Sequence, residues 1–516
     1  MVENSLVIRA ILSIYNFIWS IYEHSMVRRV IDKLFMFLSE VFRYSILYPL
    51  LTLKRIEEKE HPFFMKKISA LYKWLIDTLN SVYKRSKENS YLVARVDKSN
   101  IGNWIGNSLV IKLIKYILKG VSIEGLMICA FGFFVPFVGK QLSLVMAFGL
   151  FCLFIMSSAI KGNNQFTVTK TTVLALFYFL MLSINSILSI NPGGSMRDLA
   201  IHTGGLLMMF MIINSPLRKK DYQLIFDGLI GAGALVSIYA IYQYIVGVPM
   251  GSGWVDTSQN IGLTVRVFGT FENPNIFAEY LILMLPLAAA RGLQNLSEHK
   301  WLRGFFYVVP GGLMLAALLM TASRAGWLGF ALAVVVFTLL VNMKFIIPMI
   351  LGGIGAIPLL PESILNRIST IGSLSDSSNL YRYNLWKSSF EIINDFFVTG
   401  IGTGYLAFRA ITPYYMKNMA PYHAHNTYIQ TLVEFGLIGL ILFLTWCFMV
   451  FKDGMDTAQT SKTFVVRLYA AALTAGFCGI LLHGFAEHIL YYSKIMLLFW
   501  VIVGLIIKAN QLEAIE

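Results

Sequence analysis

From residue 122 onward the chain is a succession of apolar runs, most of them close to the ~20 residues needed to cross a bilayer. They fall at 122–138, 141–160, 171–190, 199–214, 224–247, 276–290, 305–322, 325–341, 345–360, 427–451, 468–485 and 491–508. A chain of 516 residues is long enough to bury a soluble core, but 57% hydrophobic residues and a mean hydropathy of +0.66 exceed what such a core calls for. The expected fold is all-α, a polytopic membrane helix bundle of about twelve transmembrane helices. The least regular runs are 199–214, which is short, and 276–290, which contains Pro286. Cys129, Cys152, Cys447 and Cys478 all lie inside apolar runs without metal-ligand spacing and read as helix-surface residues. The first residues are amphipathic and carry Arg9, so no cleavable signal peptide is expected.

Charge is uneven along the chain. Of a net +14, residues 1–120 carry +9, from 19 Lys/Arg against 10 Asp/Glu. A short pattern recurs there: a polar residue, Ser, apolar residues, then a base nearby. It occurs at Asn4-Ser5-Leu6-Val7-Ile8-Arg9, His24-Ser25-Met26-Val27-Arg28, Tyr44-Ser45-Ile46-Leu47, Asn89-Ser90-Tyr91-Leu92-Val93 and Asn107-Ser108-Leu109-Val110-Ile111-Lys112, with a degenerate copy at His61-Pro62-Phe63-Phe64-Met65-Lys66. Ser or Pro stands where a helix starts, and apolar residues follow at helical spacing. We read residues 1–120 as a basic amphipathic-helix repeat region on the cytoplasmic membrane face. It serves either as a docking platform or, more simply, as a membrane-hugging extension without chemistry. No nucleic-acid recognition motif accompanies the charge, so no nucleic-acid partner is expected. Residues 121–516 form the second domain, the transmembrane bundle.

Lys and Arg in short loops orient such a bundle. With the basic N-terminal region inside, cytoplasmic loops hold Lys161 and Lys170, Arg218 to Lys220, Arg291, Lys300 and Arg303, Lys344, then Lys452, Lys462, Arg467 and Lys508. The opposite side holds fewer bases and two long loops, 248–275 and 361–426. Both termini are therefore expected in the cytoplasm. Arg197, Arg266, Arg324, Arg367, Arg382 and His425 gather on the outer face.

Outer arginines run against the positive-inside bias, so each needs a reason. Arg324, in the turn Thr321-Ala322-Ser323-Arg324, reads either as a guanidinium gripping phosphate or as a snorkelling anchor. Arg266 precedes a turn-rich stretch, Gly269-Thr270-Phe271-Glu272-Asn273-Pro274-Asn275, in which Asn275 is placed to cap the next helix. Helical periodicity returns at Tyr381–Phe390, which carries Arg382. Gly400, Gly402 and Gly404 follow no βα unit and read as a packed turn rather than a nucleotide loop. His423 and His425 offer two metal ligands, but the nearest downstream carboxylate, Glu434, lies about two helical turns on. No third ligand is spaced for a metal site. His483, Glu487 and His488 sit near the outer end of a span, where ionisable residues are usually paired or functional. They read as support, with Glu487 placed to orient a histidine.

His425-Asn426 opens a hydrophobic helix, followed after nine residues by Gly436, then Gly439 and Leu440. The glycines read as points where another helix packs closely. This motif resembles the ligase pattern of the O-antigen ligase and O-antigen polymerase superfamily of bacterial envelope glycosyltransferases, except that Leu440 stands where the pattern has Gly, Thr or Tyr. Ser323-Arg324, the Gly269 to Asn275 stretch, and Arg382 with Trp386 are similar to further landmarks, in the family's order. The resemblance covers about residues 120–508. It implies a C-type glycosyltransferase fold, an undecaprenyl-diphosphate-linked glycan donor, a glycan, lipid or protein acceptor, and metal-independent, inverting transfer without a cofactor. It also implies the bacterial cytoplasmic (inner) membrane, with the active site facing outward.

The expected mechanism makes His425 the base for an acceptor hydroxyl. Arg324 and Arg382 hold the diphosphate, Arg266 or Arg197 assist, and Asn426, Gly436, Gly439, Glu487 and His483 support the site. Two alternatives stay open: a polymerase joining lipid-linked repeat units, and a secondary transporter. A transporter calls for ionisable residues near mid-span, whereas these charges sit at one boundary.

Overall fold

In a computed structural model of the chain, the described residues are 77, 81, 120–160, 166–249, 264–359, 361–373, 376–416 and 421–512. The expected N-terminal amphipathic repeats lie almost wholly outside them, as does 250–263 of the first long loop. The helices described below belong to one compact unit within residues 79–516. No strand occurs among the described residues, and the protein is a polytopic helical membrane protein.

The helices in chain order are α1 (Ile123–Phe134), α2 (Lys140–Ile160), α3 (Lys170–Ile187), α4 (Pro192–Asn214), α5 (Lys219–Val246), α6 (Pro274–Ser297), α7 (Trp301–Phe306) and α8 (Val308–Met320). Then come α9 (Arg324–Asn342), α10 (Ile346–Ala356), α11 (Glu362–Ser369), α12 (Ser377–Asp395), α13 (Tyr405–Tyr415), α14 (Thr427–Thr460), α15 (Phe464–His483) and α16 (Ser493–Ala509). Nine candidate spans among the described residues are long and apolar enough to cross a membrane, fewer than the twelve runs read from the sequence. The difference has a simple origin. α1 has 12 residues and α16 has 17, both short for a span, and α9 and α10 merge into one apolar stretch, Arg324–Gly355.

That stretch nevertheless doubles back. Thr338 Oγ1 lies 3.2 Å from Met349 Sδ, a pairing that a straight helix would hold about 16 Å apart at 1.5 Å per residue. Arg324, at the start of α9, also bonds Thr370, which follows α11. The stretch leaves one end of the bundle and returns to it.

The core is built on α6, α15 and α16, whose faces are buried almost all round. Lipid gives helices no hydrophobic reason to associate, so close packing must do it. At the α9–α15 crossing, a Cβ on Gly329 would sit 2.7 Å from the Gly479 carbonyl oxygen, and one on Gly479 would sit 2.6 Å from that of Gly329. Pro286 does not end α6, which runs through it, buried, for 24 residues. α4 begins earlier than its apolar run because Ser195, Asp198 and His202 are buried against protein rather than lipid.

α14 is broken at Gly436 (φ 65°, ψ −170°), and residues 397–402 lie in the break. Leu437 N–H donates to Phe397 O at 2.9 Å, Ile401 N–H to Val433 O at 3.0 Å, and Gly402 N–H to Glu434 O at 3.1 Å. Asn185 bridges the two segments of this junction, donating to Thr399 O and Glu434 O. The glycine triplet is thus a packed turn. The helix-packing role read for Gly436 and Gly439 is corrected: Gly436 faces the Val398 carbonyl of the inserted loop, and the nearest neighbour of Gly439 is Phe435 of its own helix. Residues 361–426 carry α11, α12 and α13 over a small second core that includes Leu385, Ile392, Ile401 and Phe408.

Candidate active site

His425 immediately precedes the cap of α14. Asn426, not His425, makes the cap: its Oδ1 accepts from Tyr428 and Ile429 N–H at 2.9 and 3.0 Å, while its Nδ2 donates to Phe485 O. Thr427 N–H donates to Gly484 O, and Thr427 Oγ1 donates to Glu487 O. These bonds fasten the start of α14 to the turn after α15, and they set Glu487 beside His425, with Nδ1 and Oε1 2.8 Å apart. His425 holds a left-handed backbone (φ 46°), a strained conformation for a residue with a side chain. Ala322 (φ 50°) and Glu272 (φ 64°) share that strain in the turns that carry Arg324 and lead into α6.

Burial raises the Glu487 carboxyl's pKa, but His425, His423 and Arg382 outweigh it and hold the group well below the usual carboxylate range. Burial, aided by His425, keeps His423 well below an ordinary histidine although Glu487 opposes it. His488 is pushed down to about 3 by burial, again against Glu487.

Beside this pair is a cavity of about 190 Å³ that Arg266, Arg324, Arg367 and Arg382 all line. Ser323 caps α9 by accepting from Gly326 N–H, so Arg324 opens the helix facing this cavity. Its guanidinium donates to Thr370 O and Oγ1, both at 2.9 Å, to Asn379 Oδ1 at 3.0 Å, and pairs with Asp376 at 3.1 Å. Arg367 reaches the other oxygen of Asp376 at 3.4 Å and donates to Ala322 O. Arg266 donates to Thr321 O at 2.7 Å and to Asn275 Oδ1 at 3.0 Å. Arg382 bonds Ser378, and its buried Nε has no partner. Burial lowers Arg266 to about 9, helped by Arg367, Arg382 and Arg324 and opposed by Glu487. Burial, then Arg324, lowers Arg367 to about 10. Among the described residues, four guanidinium groups face two carboxylates, Asp376 and Glu487, so this part of the cavity is electropositive.

One thread ties cavity to histidine. Arg266 donates to Asn275 Oδ1, Asn275 Nδ2 donates to Glu487 Oε2 at 3.1 Å, and Glu487 Oε1 meets His425. Asn275 was expected to cap α6, but Asn273 does so, which frees Asn275 to bridge. The sequence reading gave no site role to Arg367, Asp376 or Asn275. Arg367 was visible as an outer arginine and Asn275 lay in a stretch resembling a family landmark; nothing in the sequence pointed to Asp376.

Arg266, Arg324 and Arg382 come together as expected. Arg197 does not join them: it is not among the residues lining the cavity, and its Nη1 donates to Tyr405 Oη at 3.2 Å. Charge patterning places residues at the same depth in a membrane, but it does not place them at the same angle around the bundle. His483 lines the arginine cavity, fully buried, with Nδ1 3.3 Å from Glu279.

The metal reading also changes. His423, His425 and Glu487 each place one donor atom within 4.8 Å of the others, so the fold supplies the third ligand that chain spacing did not. Such a set suits an ion like zinc. Against that, His425 and Glu487 are already at hydrogen-bond distance, and four guanidinium groups next door repel a further cation.

The site is thus a carboxylate–histidine pair beside an arginine-lined cavity in a helical membrane bundle. Residues 311–444 match the profile of the family described as O-Antigen ligase, a stretch that holds Arg324, Arg367, Arg382 and His425. The chain is also 25% identical over 247 residues to the exopolysaccharide production protein ExoQ of Rhizobium meliloti (strain 1021), covering 44% of this chain. The chain spans about half the length of that relative, 53%. Residues 311–444 are therefore similar to the O-antigen ligase family, and the chain resembles a protein of exopolysaccharide production.

Proposed function

We propose that the protein is a membrane glycosyltransferase that moves a glycan from undecaprenyl diphosphate to an acceptor hydroxyl, in the manner of an O-antigen ligase. The observation that carries this is the His425–Glu487 pair, 2.8 Å apart and threaded through Asn275 to a four-arginine cavity. Glu487, ionised and bonded to Nδ1, holds the proton there and leaves the Nε2 lone pair to act as base. Nε2 takes the acceptor's O–H proton as that oxygen attacks the anomeric carbon. The bond from that carbon to the diphosphate oxygen breaks, and its electron pair leaves with the diphosphate. Arg324, Arg382, Arg266 and Arg367 stabilise the charge that develops, a role a metal ion fills elsewhere. A single displacement inverts the anomeric centre.

The excess of Lys and Arg in the loops at the other end of the bundle supports an outward-facing site in the bacterial inner membrane, with both termini cytoplasmic. It also supports residues 1–120 as a separate region on the cytoplasmic face. A polymerase reading keeps the same donor cavity and changes the acceptor. Leu440, where the ligase pattern has a small or hydroxyl residue, favours it.

The test is transfer by the full chain in nanodiscs, in EDTA, from a lipid-diphosphate-linked oligosaccharide, with and without a separate acceptor. One-step transfer that needs the acceptor supports a ligase. A ladder of lipid-linked products without it supports a polymerase. Activity retained in folded His425→Ala would overturn the mechanism, and activity that requires added zinc would overturn its metal independence.

A further inference from the structure

The arginine cavity accounts for a donor's diphosphate and leaves the acceptor without a seat. A row of rings starts at His425 and shares no residue with the lining of that cavity. The His423 ring lies 4.3 Å from that of His425, and Tyr491 lies 4.4 Å from His423. Tyr405 follows at 5.8 Å from Tyr491, and Tyr422 at 6.1 Å from Tyr405. The side chain of His425 is 28% exposed, His423 is buried, Tyr491 and Tyr405 are half-buried, and Tyr422 is 48% exposed, so the row passes one buried ring before it reaches the surface.

A row that begins at the base and ends at the surface is a track. Anchoring tyrosines of a membrane belt spread around a bundle at headgroup depth instead. These rings come from three separate segments, α13, the turn before α14, and the turn before α16, and converge on one line.

Two cations flank the row. Arg409 stacks over Tyr422 at 5.0 Å, and Arg197 bonds the Tyr405 hydroxyl. Both side chains are exposed, and among the described residues neither has a carboxylate at ion-pair distance. Asp198, next to Arg197 in the chain, is buried against Gly404 and interacts electrostatically with Arg197 without reaching ion-pair distance.

We propose that this row is the acceptor site, that pyranose rings stack on Tyr405, Tyr422 and Tyr491, and that Arg197 and Arg409 select an acceptor glycan carrying a carboxylate, as a uronic acid does. The chemistry agrees with the placement. Sugar C–H faces stack on aromatic rings, and a guanidinium pairs with a carboxylate through two parallel hydrogen bonds. An inverting displacement needs its acceptor on the side of the anomeric carbon away from the leaving group, and the row shares no residue with the lining of the arginine cavity. The proposal rests on the reading of His425 as the acceptor's base, but its test does not need turnover.

The experiment measures binding of a tetragalacturonate and of maltotetraose to the full chain in nanodiscs by saturation-transfer NMR and fluorescence titration. The acidic tetrasaccharide is expected to bind at least tenfold more tightly. Tyr422→Ala should weaken both sugars. The double variant Arg197→Gln, Arg409→Gln should erase the tenfold preference and keep the weak neutral binding. Arg324→Gln should leave both sugars bound as in the wild type while losing binding of undecaprenyl diphosphate. Equal binding of the two sugars, binding of neither, or an acidic preference that survives the double arginine variant would each overturn the proposal. Acidic binding that disappears with Arg324→Gln would mean that the sugar acid occupies the arginine cavity, which also overturns it. Intact sugar binding in a wild-type chain that does not bind undecaprenyl diphosphate would count against the donor reading alone. Tyr422→Phe, which keeps the ring, should bind as wild type and separates lost stacking from lost folding.

Discussion

The arginine cavity and the tyrosine row meet at His425, and both carry arginines that the loop charges place at the same end of the bundle. In the cavity, Arg266, Arg324 and Arg367 are each less than a tenth exposed, and Arg324 and Arg367 share Asp376. In the row, Arg197 and Arg409 are exposed and rest on single tyrosines. Burying a guanidinium costs solvation, and burying several together adds repulsion, so such a cluster is stable only with anions to offset it. Asp376 and Glu487 offset part of that charge, and the remainder is what a diphosphate would neutralise. Exposed arginines cost little to keep and contribute little singly, which suits selection among acceptors rather than tight grip.

Substitutions at the junction test this contrast most severely. His425→Ala should lower transfer about 10³-fold, within the range of a lost general base. Glu487→Gln should lower it about 10²-fold by releasing the tautomer, with the protein still folded; initial rates at saturating donor measure both. A mutant that kept full rate would separate the histidine from the chemistry.

The next pair distinguishes the two regions. Arg324→Gln or Arg382→Gln should cost about 10²-fold in kcat/KM for the lipid-linked donor, as loss of one preorganised charge typically does. Arg197→Gln should leave the donor KM unchanged and raise the acceptor KM about threefold, or roughly 0.7 kcal/mol. Equal effects of Arg197 and Arg324 on the donor would merge the two regions into one.

Two smaller effects concern the frame. Gly436→Ala should destabilise the protein by about 1–3 kcal/mol, read as a lower Tm, because a positive φ disfavours any side chain. The new Cβ would also lie 2.3 Å from the Val398 carbonyl oxygen. The other effect concerns His488, whose pKa falls from 6.5 to about 3 on folding. Between those two values the unfolded chain binds the extra proton, so stability is fully present above pH 6.5 and declines as pH falls through that window. His488→Asn should flatten this part of the acid-unfolding curve, measured by Tm against pH. Glu487 has the depressed carboxylate's behaviour: its contribution is complete above its unfolded value and is lost only as pH falls through its lower native one.

Much of this protein is legible along the chain. Apolar run length calls for spans, because a bilayer leaves backbone groups no partner outside a helix. The Lys and Arg bias sets which ends of the spans lie together, and so the depth of Arg266, Arg324, Arg382 and His425. The helical period of residues 381–390 anticipated α12, and the His425-Asn426 motif pointed to the superfamily. The separate runs 325–341 and 345–360, joined at Lys344, already read as two spans. Composition did not reveal that Gly436 opens a helix to admit residues 397–402, or that Arg197 faces tyrosines. Those depend on rotation about helix axes and on close packing, which hydropathy does not encode. The partners of His425 depended on the fold still more. Glu487 arrives from 62 positions away and Asn275 from another helix, and together they turn a lone histidine into a bonded pair connected to the arginines. A pattern along a chain records how deep a side chain lies; only the packed bundle brings residues from distant helices within the three ångströms over which a proton is held or passed.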